Sequence, residues 1–113
     1  HKKIENGRPF FKKYIPIIKQ IAAAGWQPVT GATVDVASVR IERFGDADAL
    51  FFTVRNNGTK DVKCIVSPDK DIIILPGKYT ATELVNNQPV KIENNKMYIN
   101  IPAQRTQVIQ IVK

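Results

Sequence analysis

Ala49-Leu-Phe-Phe-Thr-Val-Arg55, Asn56-Asn-Gly-Thr59 and Asp61-Val-Lys-Cys-Ile-Val66 form the stretch that decides the fold. In the two flanking segments, successive side chains alternate between two sets with a period of two residues, which is typical of half-buried β-strands. Asn57-Gly58 lies between them and is a strong signal for a tight turn, because both residues tolerate positive φ. The sequence therefore predicts a β-hairpin at the centre of the chain.

Short strand-like segments surround this hairpin. They are separated by turn signals about every eight to twelve residues, a spacing typical of all-β domains. The predicted strands outside the hairpin are residues 39–44, 72–75, 79–85, 90–92, 97–101 and 106–112. This pattern favours a mainly β fold, an antiparallel β-sandwich of about seven to eight strands with one N-terminal α-helix, over βαβ units.

An amphipathic helix is predicted before the strands, over residues 9–24, with Gly25 suited to its C-terminal end. Pro16 lies inside this segment, and an internal proline costs a helix about 3 kcal/mol, so we expect a kink near Tyr14. The chain thus divides into residues 1–30, a helix and linker, and residues 31–113, the β-sandwich domain. The apolar side of this helix is formed by Phe11, Tyr14, Ile15, Ile18, Ile21 and Ala22.

Composition and charge are those of an ordinary soluble domain. Of 113 residues, 43% are hydrophobic and 24% are charged. No apolar run approaches the roughly 20 residues of a membrane-spanning helix, so we predict no membrane span. The net charge of +7 is concentrated in residues 1–30, where six basic residues face one acidic residue. We interpret this segment as a solvated helix face and expect no nucleic-acid partner; a basic patch for a polyanion is the alternative.

The sequence contains few side chains that could act as nucleophiles, bases or metal ligands. His1 is the only histidine and Cys64 the only cysteine, so neither a Ser-His-Asp arrangement nor a Cys/His metal site is expected. Two acidic pairs, at residues 46 and 48 and at residues 69 and 71, lie in predicted turns, where Asp usually accepts hydrogen bonds from nearby backbone amides; Ca²⁺ binding is the alternative. We therefore predict no cofactor, no metal and no catalytic activity for this chain.

Aromatic side chains offer a second route to function, because a flat ring can stack on a sugar while polar neighbours bind its hydroxyls. Trp26, Phe51, Tyr79 and Tyr98 are the candidates. Phe51 and Tyr98 fall on the opposite parity from the predicted core positions of their strands, so each either faces solvent or lies under the helix. Trp26 and Tyr98 are taken as the candidate carbohydrate-binding residues.

The last third of the chain also resembles a known class of domain. It is similar to the closing strands of the C-terminal β-sandwich in many barrel-type glycoside hydrolases, and residues 50–57 resemble an earlier strand of that domain. The helix and Gly25-Trp-Gln-Pro-Val29 look like the last barrel helix and the linker that leaves it. The segments that carry the resemblance are Tyr79-Thr-Ala-Thr-Glu-Leu-Val-Asn-Asn-Gln-Pro-Val90, Asn95-Lys-Met-Tyr-Ile-Asn-Ile-Pro-Ala103 and Thr106-Gln-Val-Ile-Gln-Ile111.

This resemblance implies a non-catalytic accessory domain of a larger carbohydrate-processing enzyme. The acid and the nucleophile of such enzymes lie in the barrel, so no catalytic residue is assigned here. The implied partner is the catalytic barrel of the same polypeptide, with carbohydrate as a second candidate. The location is left open by the residues themselves, and the resemblance would imply a secreted, extracellular or periplasmic protein. The alternative is a stand-alone carbohydrate-binding or adhesion module built on the same β-fold.

Overall fold

The computed structural model describes residues 14–46, 49–73 and 79–112, and these form one α-helix and nine β-strands. The helix, α1, covers residues 14–24 of the described chain. The strands are β1 (Trp26–Gln27), β2 (Ala32–Val34), β3 (Val39–Asp46), β4 (Ala49–Asn56), β5 (Val62–Pro68), β6 (Thr80–Glu83), β7 (Gln88–Glu93), β8 (Lys96–Ile101) and β9 (Thr106–Val112).

All nine strands pair antiparallel in one curled sheet, in the order β1-β3-β4-β9-β6-β7-β8-β5-β2. The predicted mainly β, antiparallel fold with an N-terminal helix is confirmed. The predicted sandwich is not, because β7 pairs with β6 through its first half and with β8 through its second half, which joins both halves of the sheet. The predicted count of seven to eight strands was also too low. Two short strands, β1 and β2, lie between α1 and residue 39, where no strand was predicted.

The predicted central hairpin is wrong. β4 pairs with β3 and β9, whereas β5 pairs with β8 and β2, so residues 57–61 carry the chain from one half of the sheet to the other. Gly58 does not adopt the positive φ that a type I′ turn requires. Positive φ occurs instead at Asn94 and Asn95, where a two-residue turn joins β7 to β8 as predicted.

The predicted strand at residues 72–75 is also wrong in its described part. The backbone N–H groups of Ile72 and Ile73 both donate to the carbonyl oxygen of Asp69, at 3.0 and 2.8 Å, and so belong to a turn. Residues 74 and 75 lie outside the described residues. Burial of Ile73 in the core explains why this segment looks strand-like in sequence.

The main core lies inside the curl of the sheet and receives side chains from both halves. Along β4 and β8, alternate residues point inward, as the period-2 pattern predicted. The completely or almost completely buried members include Leu50, Phe52, Val54, Cys64, Val66, Met97, Ile101 and Ile109. Because the two halves share this core, neither half could bury its apolar face alone.

A second, smaller core lies under α1 on the outer side of the sheet. Ile17 of the helix packs there with Phe51, Val85 and Val108, which confirms that Phe51 lies beneath the helix. The sheet does not cover the whole predicted apolar side of α1, since Ile15 and Ile18 are 46% and 54% exposed. The side of α1 that packs on the sheet carries residues 14, 17, 21 and 24. Residues 9–13 of the predicted helix lie outside the described residues, and the kink near Tyr14 stays a prediction.

Candidate functional site

Trp26 lies at one edge of the sheet, immediately after the helix. Gly25 ends α1 with a φ of 90°, a conformation that favours glycine, and its N–H donates to the carbonyl of Ile21 at 3.0 Å. Trp26 then pairs with Phe44 in the two-residue strand β1 and remains 57% exposed. This candidate ring is therefore accessible, on an edge strand.

Tyr98 lies near the other end of the sheet, on the outer side of β8. It is 36% exposed and stands between Lys91 of β7 and Ile65 of β5, its two cross-strand partners. The Nζ atom of Lys91 lies 5.7 Å from the centroid of the Tyr98 ring, within the range of a cation–π contact. The same Nζ is 3.4 Å from the carboxylate of Glu93, so the charge of Lys91 already has a partner.

Two cavities of about 240 and 560 Å³ adjoin Tyr98 and share it, Ile99 and Asn100 as lining residues. We call the two cavities together the fork groove. Trp26 lines neither cavity, and five strands separate β1 from β8 in the sheet order. The structure therefore does not bring the two candidate carbohydrate-binding residues together. The smaller cavity is also lined by Asn86, Gln88, Pro89 and Gln107, and the larger one by Asp35, Lys63, Ile65 and Lys91.

The smaller cavity opens where the sheet divides. Lys91 of β7 pairs with Tyr98, but the preceding residues of β7 pair with β6 instead. Continued pairing between β7 and β8 would place Pro89 opposite Asn100, and proline has no N–H to donate to a sheet ladder. The fork in the sheet is thus consistent with the sequence of β7 and exposes a polar cleft beside Tyr98.

Glu83 is a buried carboxylate at the floor of this cleft. One oxygen accepts hydrogen bonds from the backbone N–H groups of Val85 (2.8 Å) and Val108 (3.1 Å), and the other accepts from the N–H of Asn86 (2.8 Å). Three backbone donors of this kind stabilise the carboxylate where it is and fix the turn after β6. Glu83 therefore has a structural explanation that requires no ligand.

Sequence reasoning missed the carboxamides that surround Tyr98. Asn100 was the one detectable member, since it lies two residues after Tyr98 and so on the same side of β8. Asn86 and Gln88 come from the β6–β7 turn and the start of β7, and Gln107 comes from β9. Their approach to Tyr98 depends on the fork between strands, which no local pattern in the sequence signals.

The remaining sequence candidates are engaged in structural contacts. The hydroxyl of Tyr79 donates to Asn95 Oδ1 at 2.5 Å, and burial raises the pKa of Tyr79. The carboxylate of Asp69 accepts the N–H of Asp71 at 2.9 Å within their turn. Asp46 Oδ1 lies 3.9 Å from Arg43 Nη1, and Asp48 lies outside the described residues. Across residues 14–46, 49–73 and 79–112, no group of three or more His, Cys, Asp or Glu side chains could hold a metal ion.

Cys64 is buried in the main core and is a free thiol. Burial, with a further contribution from the negative charge of Asp35, raises the pKa of Cys64 to about 11. A thiol needs its deprotonated form to act as a nucleophile. Cys64 is therefore part of the packing rather than of a reactive site.

Comparison with known proteins gives matches among solved structures alone. No protein-family model matches this chain, and no curated protein sequence does. A GH30 endoxylanase from Clostridium papyrosolvens C71 is 10% identical, with a TM-score of 0.43 over 70% of this chain and 21% of that one. The glycoside hydrolase family 30 subfamily 8 xylanase Xyn30A from Clostridium acetobutylicum is 11% identical, with a TM-score of 0.49 over 83% of this chain and 26% of that one. The chain thus spans about a quarter of the length of these xylanases.

Within the part of the chain that the structure describes, no helix is both long and apolar enough to cross a bilayer.

Proposed function

We propose that this chain is a non-catalytic accessory domain of a larger carbohydrate-processing enzyme of the glycoside hydrolase type. The observation that carries the proposal is that α1 is apolar on two sides. Its inner side packs on the sheet through Ile17, and its outer side presents Ile15 and Ile18 to solvent. A helix that covers one domain and exposes a second apolar stripe is suited to lie between two packed bodies.

The outer stripe of α1 follows helical spacing. Ile15 and Ile18 are three residues apart, and the exposed Ala22 continues the same side one turn later. Each square ångström of apolar surface removed from water is worth roughly 25 cal/mol, so covering two isoleucines favours association. We define the outer stripe of α1 as Ile15, Ile18 and Ala22.

The occupant we propose for this stripe is the catalytic barrel of the same polypeptide. The sequence resemblance supports this choice, since the helix and linker look like the last barrel helix and the segment that leaves it. The connection is also short, because only Gly25 separates α1 from β1, and the N–H of Gly45 donates to the carbonyl of Gly25 at 2.7 Å. A helix held this closely to the sheet would fix the orientation of the domain relative to the barrel.

An immunoblot of the cells that produce this chain tests the proposal directly. An antibody raised against the 113-residue chain is expected to detect a band several times heavier than 12.7 kDa. A band at 12.7 kDa alone would contradict the proposal and favour a domain that acts by itself.

Substitutions in the outer stripe of α1 test the proposed contact in the intact parent enzyme. The double substitution Ile15→Ser and Ile18→Ser is expected to make the junction between barrel and accessory domain more sensitive to limited proteolysis. Gln20→Ser is the matched control, because Gln20 is exposed on the same helix and lies two residues from both Ile18 and Ala22, on a different side. Equal protease sensitivity of the two variants would contradict the contact.

A stand-alone carbohydrate-binding module is the second candidate function. The fork groove favours it, because a structural domain has no evident need for a polar cleft beside an exposed aromatic ring. The immunoblot separates the two functions, because a stand-alone module gives a band at 12.7 kDa alone. With such a band, retardation of the isolated chain in polysaccharide gels that disappears on Trp26→Ala or Tyr98→Ala would support the binding module.

A further inference from the structure

We propose that the fork groove binds a segment of an uncharged oligosaccharide. This inference rests on the proposed link between the chain and carbohydrates, and it goes beyond that link by naming a site and the chemistry of its ligand. It does not depend on whether a catalytic barrel is attached. It places the site at Tyr98 and leaves Trp26 outside it.

The polar side chains of the fork groove match the chemistry of sugar hydroxyls. Asn86, Gln88, Asn100 and Gln107 all line the smaller cavity. A carboxamide offers an N–H₂ donor and a carbonyl acceptor, so it can pair with a hydroxyl in either sense. Asn86, Gln88 and Asn100 are exposed, whereas Gln107 is buried. Three exposed carboxamides around one cleft therefore suit a ligand that is rich in hydroxyl groups.

The apolar contribution comes from Tyr98 and Pro89. Tyr98 lines both cavities, so its ring forms a wall that the two halves of the groove share. The smaller cavity also contains Pro89, whose ring adds apolar surface without a backbone donor. Aromatic and apolar surface combined with a few polar groups is the usual composition of a small-molecule site.

The charges around the groove indicate that the ligand carries none. The carboxylate of Glu83 is occupied by three backbone N–H groups, and Lys91 is paired with Glu93. The larger cavity is lined by Lys63 and also by Asp35, so one formal charge of each sign is added there; the carboxylate of Asp35 accepts the N–H of Ile65 at 2.7 Å. The lining has no excess of positive charge that would attract an acidic sugar, and a neutral sugar needs no such charge in order to bind.

The size of the groove fits a short segment of a glycan. Its two parts, of about 240 and 560 Å³, share three lining residues and therefore lie side by side. Together they fall within the range of roughly 300–1,000 Å³ that is typical of ligand sites. We therefore expect the groove to hold a few sugar units at a time and not to enclose them.

Affinity electrophoresis with a defined panel tests this proposal on the whole chain. The gels contain one of three neutral polysaccharides (mixed-linkage β-glucan, galactomannan or arabinan) or polygalacturonate as the anionic comparator. We expect retardation in at least one neutral gel. Tyr98→Ala and Asn100→Ala are each expected to lower the association constant by about tenfold or more, and Tyr98→Phe to retain it because the ring is kept.

Two controls separate a lost site from a lost fold. Val112→Ala removes apolar surface from an exposed position on β9, and Asn57→Ala removes a carboxamide from an exposed loop, and neither residue lines the groove. Both are expected to bind as the unmodified chain does. Each variant is checked by its circular dichroism spectrum and thermal midpoint before binding is measured.

Three outcomes would overturn the proposal: no retardation in any neutral gel, stronger retardation by polygalacturonate, or binding that is lost on Trp26→Ala but kept on Tyr98→Ala. The immunoblot keeps this test distinct from that of the proposed function. A heavy parent band without sugar binding leaves the accessory domain in place and removes the groove. Sugar binding by a chain that exists only at 12.7 kDa supports the groove and rules out the accessory domain.

Discussion

Asn56 is completely buried at the end of β4, and its side chain is hydrogen-bonded to three segments: the residue before β3, the loop of residues 57–61 and the end of β8. Its Nδ2 donates to the carbonyls of Lys60 (2.7 Å) and Ile101 (3.1 Å). Its Oδ1 accepts from the N–H of Gly58 (2.9 Å) and the hydroxyl of Ser38 (3.3 Å). These hydrogen bonds explain why a sequence that looks like a hairpin turn instead connects the two halves of the sheet.

Replacement of this buried amide should be costly. Asn56→Ala leaves the buried Ile101 carbonyl without its side-chain donor, and we expect a loss of about 2–4 kcal/mol in the free energy of unfolding. Urea denaturation at neutral pH measures it. Asn57→Ala is the control, because Asn57 is exposed and its carboxamide accepts a hydrogen bond from Arg55 Nε at 2.8 Å, whereas the bond from Gln104 to its backbone carbonyl does not depend on the side chain. Similar losses for both variants would contradict the assigned role of Asn56.

Cys64 should make stability depend on pH in the alkaline range. Burial raises the pKa of its thiol from an ordinary 9.0 to about 11, so the folded state holds a proton that the unfolded state releases. The stabilisation is complete below pH 9.0 and is lost as the pH rises towards 11. The slope from this group is at most about 1.4 kcal/mol per pH unit.

Comparison with Cys64→Ala isolates this effect from the lysines and tyrosines that titrate in the same range. Urea unfolding of both proteins is measured between about pH 8 and pH 11. The stability advantage of the unmodified chain over Cys64→Ala is expected to shrink as the pH rises. Parallel pH profiles for the two proteins would show that the thiol does not contribute.

At the level of single elements, α1 gives the sharpest contrast between neighbouring positions. Ile17 is buried against Phe51, whereas Ile18 is 54% exposed. Ile17→Ala is therefore expected to lower the free energy of unfolding by about 2–4 kcal/mol, and Ile18→Ala to change it by about 0.5 kcal/mol or less. Urea denaturation of the two variants measures both changes in the free energy of unfolding. A larger loss for Ile18→Ala than for Ile17→Ala would show that the side of α1 that carries Ile18 packs on the sheet.

The strands were predictable where the sequence fits only one alternation of apolar and polar residues. Along β8, Met97, Ile99 and Ile101 alternate with polar or half-exposed residues, and β9 was predicted with the same bounds that the structure has. The face of α1 was not predictable, because isoleucines at residues 15, 17, 18 and 21 give two apolar stripes that fit a helix equally well. Only the position of Phe51 on the sheet selects one stripe.

The pairing of the strands was predictable only for some neighbours in sequence. The turns before β4, β7 and β8 each join paired strands, as expected from their Asp, Asn and Gly residues. The Asn57-Gly58 turn does not, because its outcome depends on the distant contacts of Asn56. The same reason explains why only part of the candidate site was predictable. Tyr98 could be identified from the alternation along its own strand, whereas Gln107 lines the same cavity from β9, which is distant in sequence from the residues of β7.

In the whole molecule, β4 links the two cores. Leu50, Phe52 and Val54 point into the main core, while Phe51, between them, packs under α1. A strand with side chains in both cores cannot leave one of them without disturbing the other. Residues 1–30 and 31–113 differ in sequence character, yet this packing couples α1 to the sheet.

We therefore expect α1 and the sheet to unfold in one cooperative transition. Unfolding by urea is followed through the helical circular dichroism signal and through the fluorescence of Trp26, which lies in β1 and pairs with β3. The two curves should coincide, as two-state unfolding of a single small domain requires. Phe51→Ala should shift both midpoints downward together, because it removes contacts that join the two cores. Loss of the helical signal at a lower urea concentration than the Trp26 signal would show instead that α1 unfolds separately from the sheet.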